Sequence, residues 1–170
     1  MKNTILCFAC ALIGALPAGA ASGNQSAQDQ AFVNEAARGG KMEVELGQLA
    51  TKNGSNADVK AFGSQMVKDH SRLNNELGLA AKSSGLTVPT ELTPEQKNEY
   101  QNLSKVSGKN FDKQYSDLMV KDHSNDLAAF QKAGAITKDT QLKKAITSAI
   151  PVIEHHLQMA KSIVTKLNSQ

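Results

Sequence analysis

Cysteine is scarce in this chain of 170 residues, and both copies, Cys7 and Cys10, lie within the first ten positions. They fall in an apolar run that follows Lys2 and precedes small residues at 17–20, which is the pattern of a secretory signal peptide. The run is too short for a stable membrane span, although a retained anchor is the alternative. We expect residues 1–20 to be cleaved off. The exported chain would then have no transmembrane anchor, no disulfide and no thiolate metal site.

Aromatic residues are also few: the chain has no tryptophan, two tyrosines and five phenylalanines. No stretch alternates convincingly between apolar and polar residues, so strands are not expected. Alanine, leucine, valine and methionine recur instead at helical spacing. The composition therefore predicts an all-α protein.

Charge of neither sign is concentrated along the chain. The sequence has 19 basic and 16 acidic residues, and loss of Lys2 with the signal leaves 18 basic residues and a balance of +2. Neither a basic block nor aromatic–basic interleaving occurs. These features exclude nucleic acid as the expected partner.

Four long helices are predicted in the mature chain, after a flexible tail at residues 21–28. Their expected spans are about 29–51, 57–83, 110–132 and a last one from Thr137 or Asp139 to about Leu167. Short turns follow the first and third, whereas the middle connection is long and contains a short helix that starts at Thr93-Pro94. The predicted fold, over residues 29–168, is a ferritin-like four-helix bundle with a long crossover containing a short extra helix.

One six-residue motif, MVKDHS, occurs twice, beginning at Met66 and again at Met119, 53 positions later. Helical spacing places Met66 and His70 on the apolar stripe of one helix, and Met119 and His123 on that of another. Each histidine lies about thirteen residues into its predicted helix. Because the crossover makes these two helices parallel, we expect the two copies to reach the same level of the bundle and face each other.

The other two long helices each contribute one inward polar residue. Glu43 lies in the middle of the apolar face of the first, and His156 lies at the border of the stripe on the last, whereas His155 points to solvent. Glu43, His70, His123 and His156, here called the inner cluster, are therefore predicted to meet inside the bundle. Buried polar groups of this kind must be hydrogen-bonded, paired or bound to metal.

Two interpretations of the inner cluster remain open. In one, it is a structural hydrogen-bond network whose rings are oriented by Asp69 and Asp122. In the other, it is a mononuclear metal site for a divalent or copper ion, since imidazole and carboxylate suit zinc, iron, copper or nickel. Met66 and Met119 would favour copper(I) as thioether ligands, but buried methionine is ordinarily core packing.

A di-iron centre of the ferritin type is not expected. Such centres use glutamate three residues before each histidine ligand. Here the residues three before His70, His123 and His156 are Val67, Val120 and Ile153, all apolar.

The motifs taken together resemble the DUF4142 family, exported bacterial proteins of uncharacterised function that are assigned to the ferritin-like superfamily. The resemblance spans the mature chain and is carried by Phe32, Ala36, Gly39, Gly40, Glu43, Leu46, the two Met-Val-x-Asp-His segments, Phe111, Tyr115, Pro151, His156 and Leu157. It implies the four-helix fold and a periplasmic location, and no activity.

The residues themselves favour binding over catalysis. No nucleophile motif, P-loop or H-E-x-x-H zinc motif occurs. We therefore expect a periplasmic binding or stress-protective protein with a His/Glu metal site. The alternatives are a metal-free interaction module and, ranked after it, a metal-dependent enzyme.

Overall fold

The computed structural model describes residues 19–169, and all regular structure within them is helical. The helices in chain order are α1 (Gly19–Asn53), α2 (Ala57–Ser83), α3 (Pro94–Ser104), α4 (Gly108–Ile136) and α5 (Thr140–Asn168). The all-α prediction is confirmed. None of these helices is long and apolar enough to cross a membrane. The predicted signal peptide lies outside the described residues apart from positions 19 and 20.

The four long helices form a bundle in which each packs against two others. α1 packs against α2 and α4, and α5 packs against the same two helices. The short helix α3 lies in the crossover and contacts α1 and α4. This is the predicted four-helix bundle with one long crossover and a short extra helix.

The parallel course of α2 and α4 is visible where the two helices begin. The Asp112 carboxylate, in the first turns of α4, accepts hydrogen bonds from the backbone N–H groups of Ser55 and Asn56 at 2.9 Å and from the Ser55 hydroxyl. Asn56 in turn caps α2, because its Oδ1 accepts from the backbone N–H of Asp58 at 2.8 Å. The two starts are thereby held at the same end of the bundle.

The first helix begins earlier than the sequence predicts. The expected start was about Asp29, whereas α1 begins at Gly19, so the predicted tail at 21–28 is part of the helix. A contact one turn apart favours the longer helix: Gln25 Nε2 donates to Asp29 Oδ1 at 3.1 Å.

The core consists of three apolar clusters: two lie on either side of the inner cluster, and a third is formed by Leu73, Ala149 and Ile153. The first contains Met42, Leu46, Leu49, Ala50, Val59, Phe62, Met66, Leu92, Leu103, Phe111, Tyr115, Met119, Ala160 and Ile163. The second contains Val33, Leu77, Ala81, Ala133, Leu142 and Ile146. On every long helix the inner-cluster residue comes between members of the two clusters. The bundle therefore has a polar layer enclosed by apolar packing.

The contact between α1 and α2 is closest at two glycines. A Cβ atom added to Gly47 would lie 2.7 Å from the carbonyl oxygen of Gly63, and one added to Gly63 would lie 2.7 Å from the carbonyl oxygen of Gly47. Neither backbone can shift without moving the whole helix, so both positions require glycine.

Replacement of Gly47 with alanine should therefore destabilise the bundle by about 1–3 kcal/mol, the usual range for overpacking. Gly78→Ala in α2 is the matched control, because a Cβ there meets no atom within 4 Å in the part of the chain that the structure describes. Alanine should stabilise the control by up to about 1 kcal/mol through helix propensity. Urea unfolding measures both, and a Gly47→Ala protein as stable as the control would contradict the close contact.

Candidate metal centre

The side chains of the inner cluster meet at one level of the bundle. Glu43 and His70 are each 3% exposed, and His123 and His156 are fully buried. The ring centroids of His70 and His123 are 5.5 Å apart, those of His123 and His156 5.5 Å, and those of His70 and His156 5.2 Å. The repeated motif thus brings its two histidines together at the same level, as the sequence predicts, with their ring planes at 89°. His155, next to His156, is exposed, also as predicted.

Each of the three rings has one nitrogen held by an acceptor. His70 Nδ1 lies 2.8 Å from Glu43 Oε2, and His156 Nε2 lies 2.9 Å from Asp69 Oδ2. His123 Nδ1 lies 3.0 Å from the carbonyl oxygen of Met119, one turn earlier on α4. Histidines that bind metals are oriented in this way, with one ring N–H donated to a carboxylate or a carbonyl.

The remaining ring nitrogens face a common point. One nitrogen from each of the three rings lies within 4.8 Å of the others. His70 Nε2 and His156 Nδ1 are 3.2 Å apart, and His123 Nε2 is 3.5 Å from Glu43 Oε1. Ligand atoms of a tetrahedral ion with bonds of about 2.0–2.1 Å are separated by about 3.3 Å. The spacing of these atoms fits a single ion.

Two atoms of the inner cluster have no hydrogen-bond partner among residues 19–169. Glu43 Oε1 and His123 Nε2 are both fully buried and both unpaired, although they face each other. A buried polar atom without a partner costs about 1–3 kcal/mol. A cation between the oxygen and the nitrogen would satisfy both.

Burial keeps the histidines in the form that binds metals. It lowers the pKa of His70 to about 4 and, together with the neighbouring His70 and His156, lowers that of His123 to about 3. Burial also lowers the pKa of His156, against the opposing effect of Asp69. The rings are therefore neutral at pH 7, and neutral imidazole is the ligand form.

One residue of the site was missed by the sequence analysis. Asp126 lies beside Glu43, and the two share a small cavity with His70. Burial, and then the charge of Glu43, raise the pKa of Asp126 to about 8. Burial, and then the charge of Asp122, raise the pKa of Glu43 to about 8. Asp126 could have been found from its position three residues after His123, which puts it on the same helix face.

The remaining candidates take different places around the site. Asp69 orients a ring as expected, but the ring is that of His156 and not of its neighbour His70. Asp122 forms no hydrogen bond with a histidine in the described part of the chain, and its pKa is raised to about 7, chiefly by burial. Met66 and Met119 are fully buried in the first apolar cluster.

Comparison with protein-family models identifies the family of this chain. The model of the family described as "Domain of unknown function (DUF4142)" matches residues 14–163. The chain belongs to the DUF4142 family. Comparison of this DUF4142 protein with curated proteins and with solved structures gives no match. The family description names no activity, so the function has to be argued from the site itself.

The two adjacent histidines of this DUF4142 protein should respond differently to substitution. His156→Ala should lower the free energy of unfolding by about 1–3 kcal/mol, because it removes a buried ring that contacts both Asp69 and His70. His155→Ala should change it by no more than about 0.5 kcal/mol, as exposed positions usually do. Equal effects in urea unfolding would show that the hydrogen bonds of His156 contribute nothing to stability.

The metal-free DUF4142 protein should lose stability as the pH rises from 6.5 to 8. In the folded protein the pKa of Glu43 and that of Asp126 are each raised to about 8. The same carboxyl groups lose their protons near pH 4 to 5 in the unfolded chain, so the folded protein binds more protons between these values. Stability from these carboxyls is present at acid pH and lost toward pH 8. The histidines, whose pKa is lowered from 6.5, affect stability only below that value.

Urea midpoints measured across this pH range test the effect. Asp126→Asn should flatten the slope, whereas Asp117→Asn, at an exposed position of the same helix, should leave it unchanged. A midpoint that rises toward pH 8 would show that both carboxyls are ionised in the folded protein.

Proposed function

We propose that this protein binds one divalent transition-metal ion through His70, His123 and His156, with Glu43 as a carboxylate ligand. The observation that carries the proposal is the pair of buried, unpaired atoms, Glu43 Oε1 and His123 Nε2, that face each other at 3.5 Å. The convergence of three ring nitrogens within 4.8 Å supports it independently.

The ligand set indicates the class of ion. Three neutral imidazoles and one carboxylate suit zinc(II), copper(II), cobalt(II) or nickel(II), and they offer no soft sulfur donor. Met66 and Met119 belong to the apolar packing, which argues against a copper(I) site. A carboxylate-bridged di-iron centre lacks support, because the residues three before the histidines are apolar.

The alternative is a purely structural network. Glu43, His70, His156 and Asp69 form a continuous line of contacts at 2.8, 3.2 and 2.9 Å. In this network Glu43 is protonated and donates to His70 Nδ1, His70 Nε2 donates to His156 Nδ1, and His156 Nε2 donates to Asp69, so both nitrogens of each ring are paired without a metal. It leaves His123 Nε2 and Glu43 Oε1 unpaired. The metal site explains the whole inner cluster, and the network explains part of it.

The physiological role we infer is ion binding or protection against metal stress in the periplasm, where the predicted signal peptide would direct the chain. Three orienting contacts and a fully buried ligand set are arranged to hold an ion. A catalytic role is the second candidate and requires a further ligand position at the ion.

Titration calorimetry on the chelator-treated mature chain should show one zinc(II) or cobalt(II) ion per chain. His123→Ala should weaken binding by more than about 100-fold, because loss of a ligand exceeds the 10- to 100-fold effect of losing an orienting contact. His155→Ala should bind as tightly as the wild-type protein. Circular dichroism checks that the variants remain helical.

The outcomes separate the two interpretations. Binding that is lost in His123→Ala and kept in His155→Ala identifies the inner cluster as the site. No binding at all, or binding that survives His123→Ala at full affinity, would leave the structural network as the correct description.

A further inference from the structure

A small, partly enclosed cavity adjoins the inner cluster on the side of the second apolar cluster. Its volume is about 20 Å³, and its polar lining consists of Glu43, His70, Asn74 and Asp126. All four long helices contribute to its wall, so it lies inside the bundle next to two of the proposed ligands.

The size and polarity of the cavity fit one water molecule. A water needs about 10–15 Å³ and two to four polar partners, whereas purely apolar cavities remain dry. Four polar side chains line this cavity. The rest of its wall includes Leu73, Phe130 and Ile153, which leave no room for a larger molecule.

The position of the Asn74 amide in the cavity wall depends on Gly40. A Cβ atom on Gly40 of α1 would lie 2.0 Å from Asn74 Oδ1, so only glycine lets this side chain lie against α1. At the adjacent Gly39 a Cβ atom would meet no atom of the described residues within 4 Å. The close contact with α1 is therefore made by a side chain of α2, at Gly40. The cavity receives a neutral hydrogen-bonding group as a result.

We propose that the bound ion keeps one coordination position for an exchangeable water-sized ligand, held in this cavity between Glu43, Asn74 and Asp126. The inference rests on the proposed metal site and adds to it. Structural metal sites are closed by protein ligands, whereas catalytic ones keep a position for water and expand to five ligands when needed. Here three histidines and Glu43 provide four ligands, and the cavity beside Glu43 and His70 provides the fifth position.

The lining assigns a role to each polar residue. The carboxylate of Asp126 accepts a hydrogen bond from the bound water, and Asn74 offers a second partner that carries no charge. Neither residue is among the proposed metal ligands, so both are positioning residues. The ligand class is water or hydroxide, because the apolar part of the wall excludes bulkier anions.

The test uses copper(II)-loaded mature protein in water enriched in oxygen-17. An oxygen-17 nucleus bound to the ion broadens the electron paramagnetic resonance lines, and we expect that broadening in the wild-type protein. Ala36 lines the cavity, whereas the adjacent Ala37 does not, and both are partly buried in α1. Ala36→Val should abolish the broadening by filling the cavity, and Ala37→Val, with the same propensity cost, should retain it.

A second cavity-filling variant serves as a control in case Ala36→Val misfolds. Ala149→Val fills the same cavity from α5 and should reproduce the Ala36→Val result. Calorimetry must show one ion per chain in each variant, which separates loss of water from loss of metal. If the wild-type protein binds copper without broadening, the site is closed and this inference is overturned while the proposed function stands. Broadening that persists in both filled variants would overturn it too, because the water would then lie elsewhere.

Discussion

The burial of one carboxyl group and three imidazoles at a single level of an otherwise apolar bundle is the constraint on which the rest of the structure depends. Polar groups removed from water must be paired within the protein, or each loses a large part of its hydration energy. Glu43, His70, His123 and His156 can be paired only if four helices present them at the same height. The apolar clusters on both sides keep the four helices in this register, since a shift of one helix by one turn would move its polar residue among apolar side chains.

Two contacts outside the inner cluster maintain the alignment. Asp112 ties the start of α4 to the turn before α2, and the Gly47–Gly63 contact sets how closely α1 approaches α2. Both act on the end of the bundle opposite to the cavity. Because α2 and α4 start at the same end of the bundle, the two Met-Val-Lys-Asp-His-Ser segments reach the same level. The repeat supplies one imidazole from each of two parallel, diagonally placed helices.

The chemistry of the site depends on the hydrogen bonds and the burial of each candidate ligand. Asp69 orients the His156 ring and the Met119 carbonyl orients the His123 ring from outside the proposed coordination sphere, whereas the proposed ligand Glu43 itself orients His70. Burial keeps the rings neutral. The carboxyl groups of Glu43 and Asp126 lie side by side, and two buried carboxylates resist joint ionisation. A divalent cation would relieve that repulsion, so the metal-free cluster is arranged to favour a positive ion. The family description contributes no activity, and these contacts are the basis on which a function can be assigned.

Helical periodicity by itself determined the all-α class, the four long helices, the crossover with its short helix, and the inward direction of Glu43, His70, His123 and His156. It also distinguished buried His156 from exposed His155, because direction around a helix depends only on local spacing. Tertiary structure alone decided which atoms meet: that Asp69 orients His156, that Asp126 joins Glu43, and that Asn74 fits against Gly40. These contacts link residues on different helices, and their distances depend on the offset and spacing of packed helices, which no periodicity within one helix encodes.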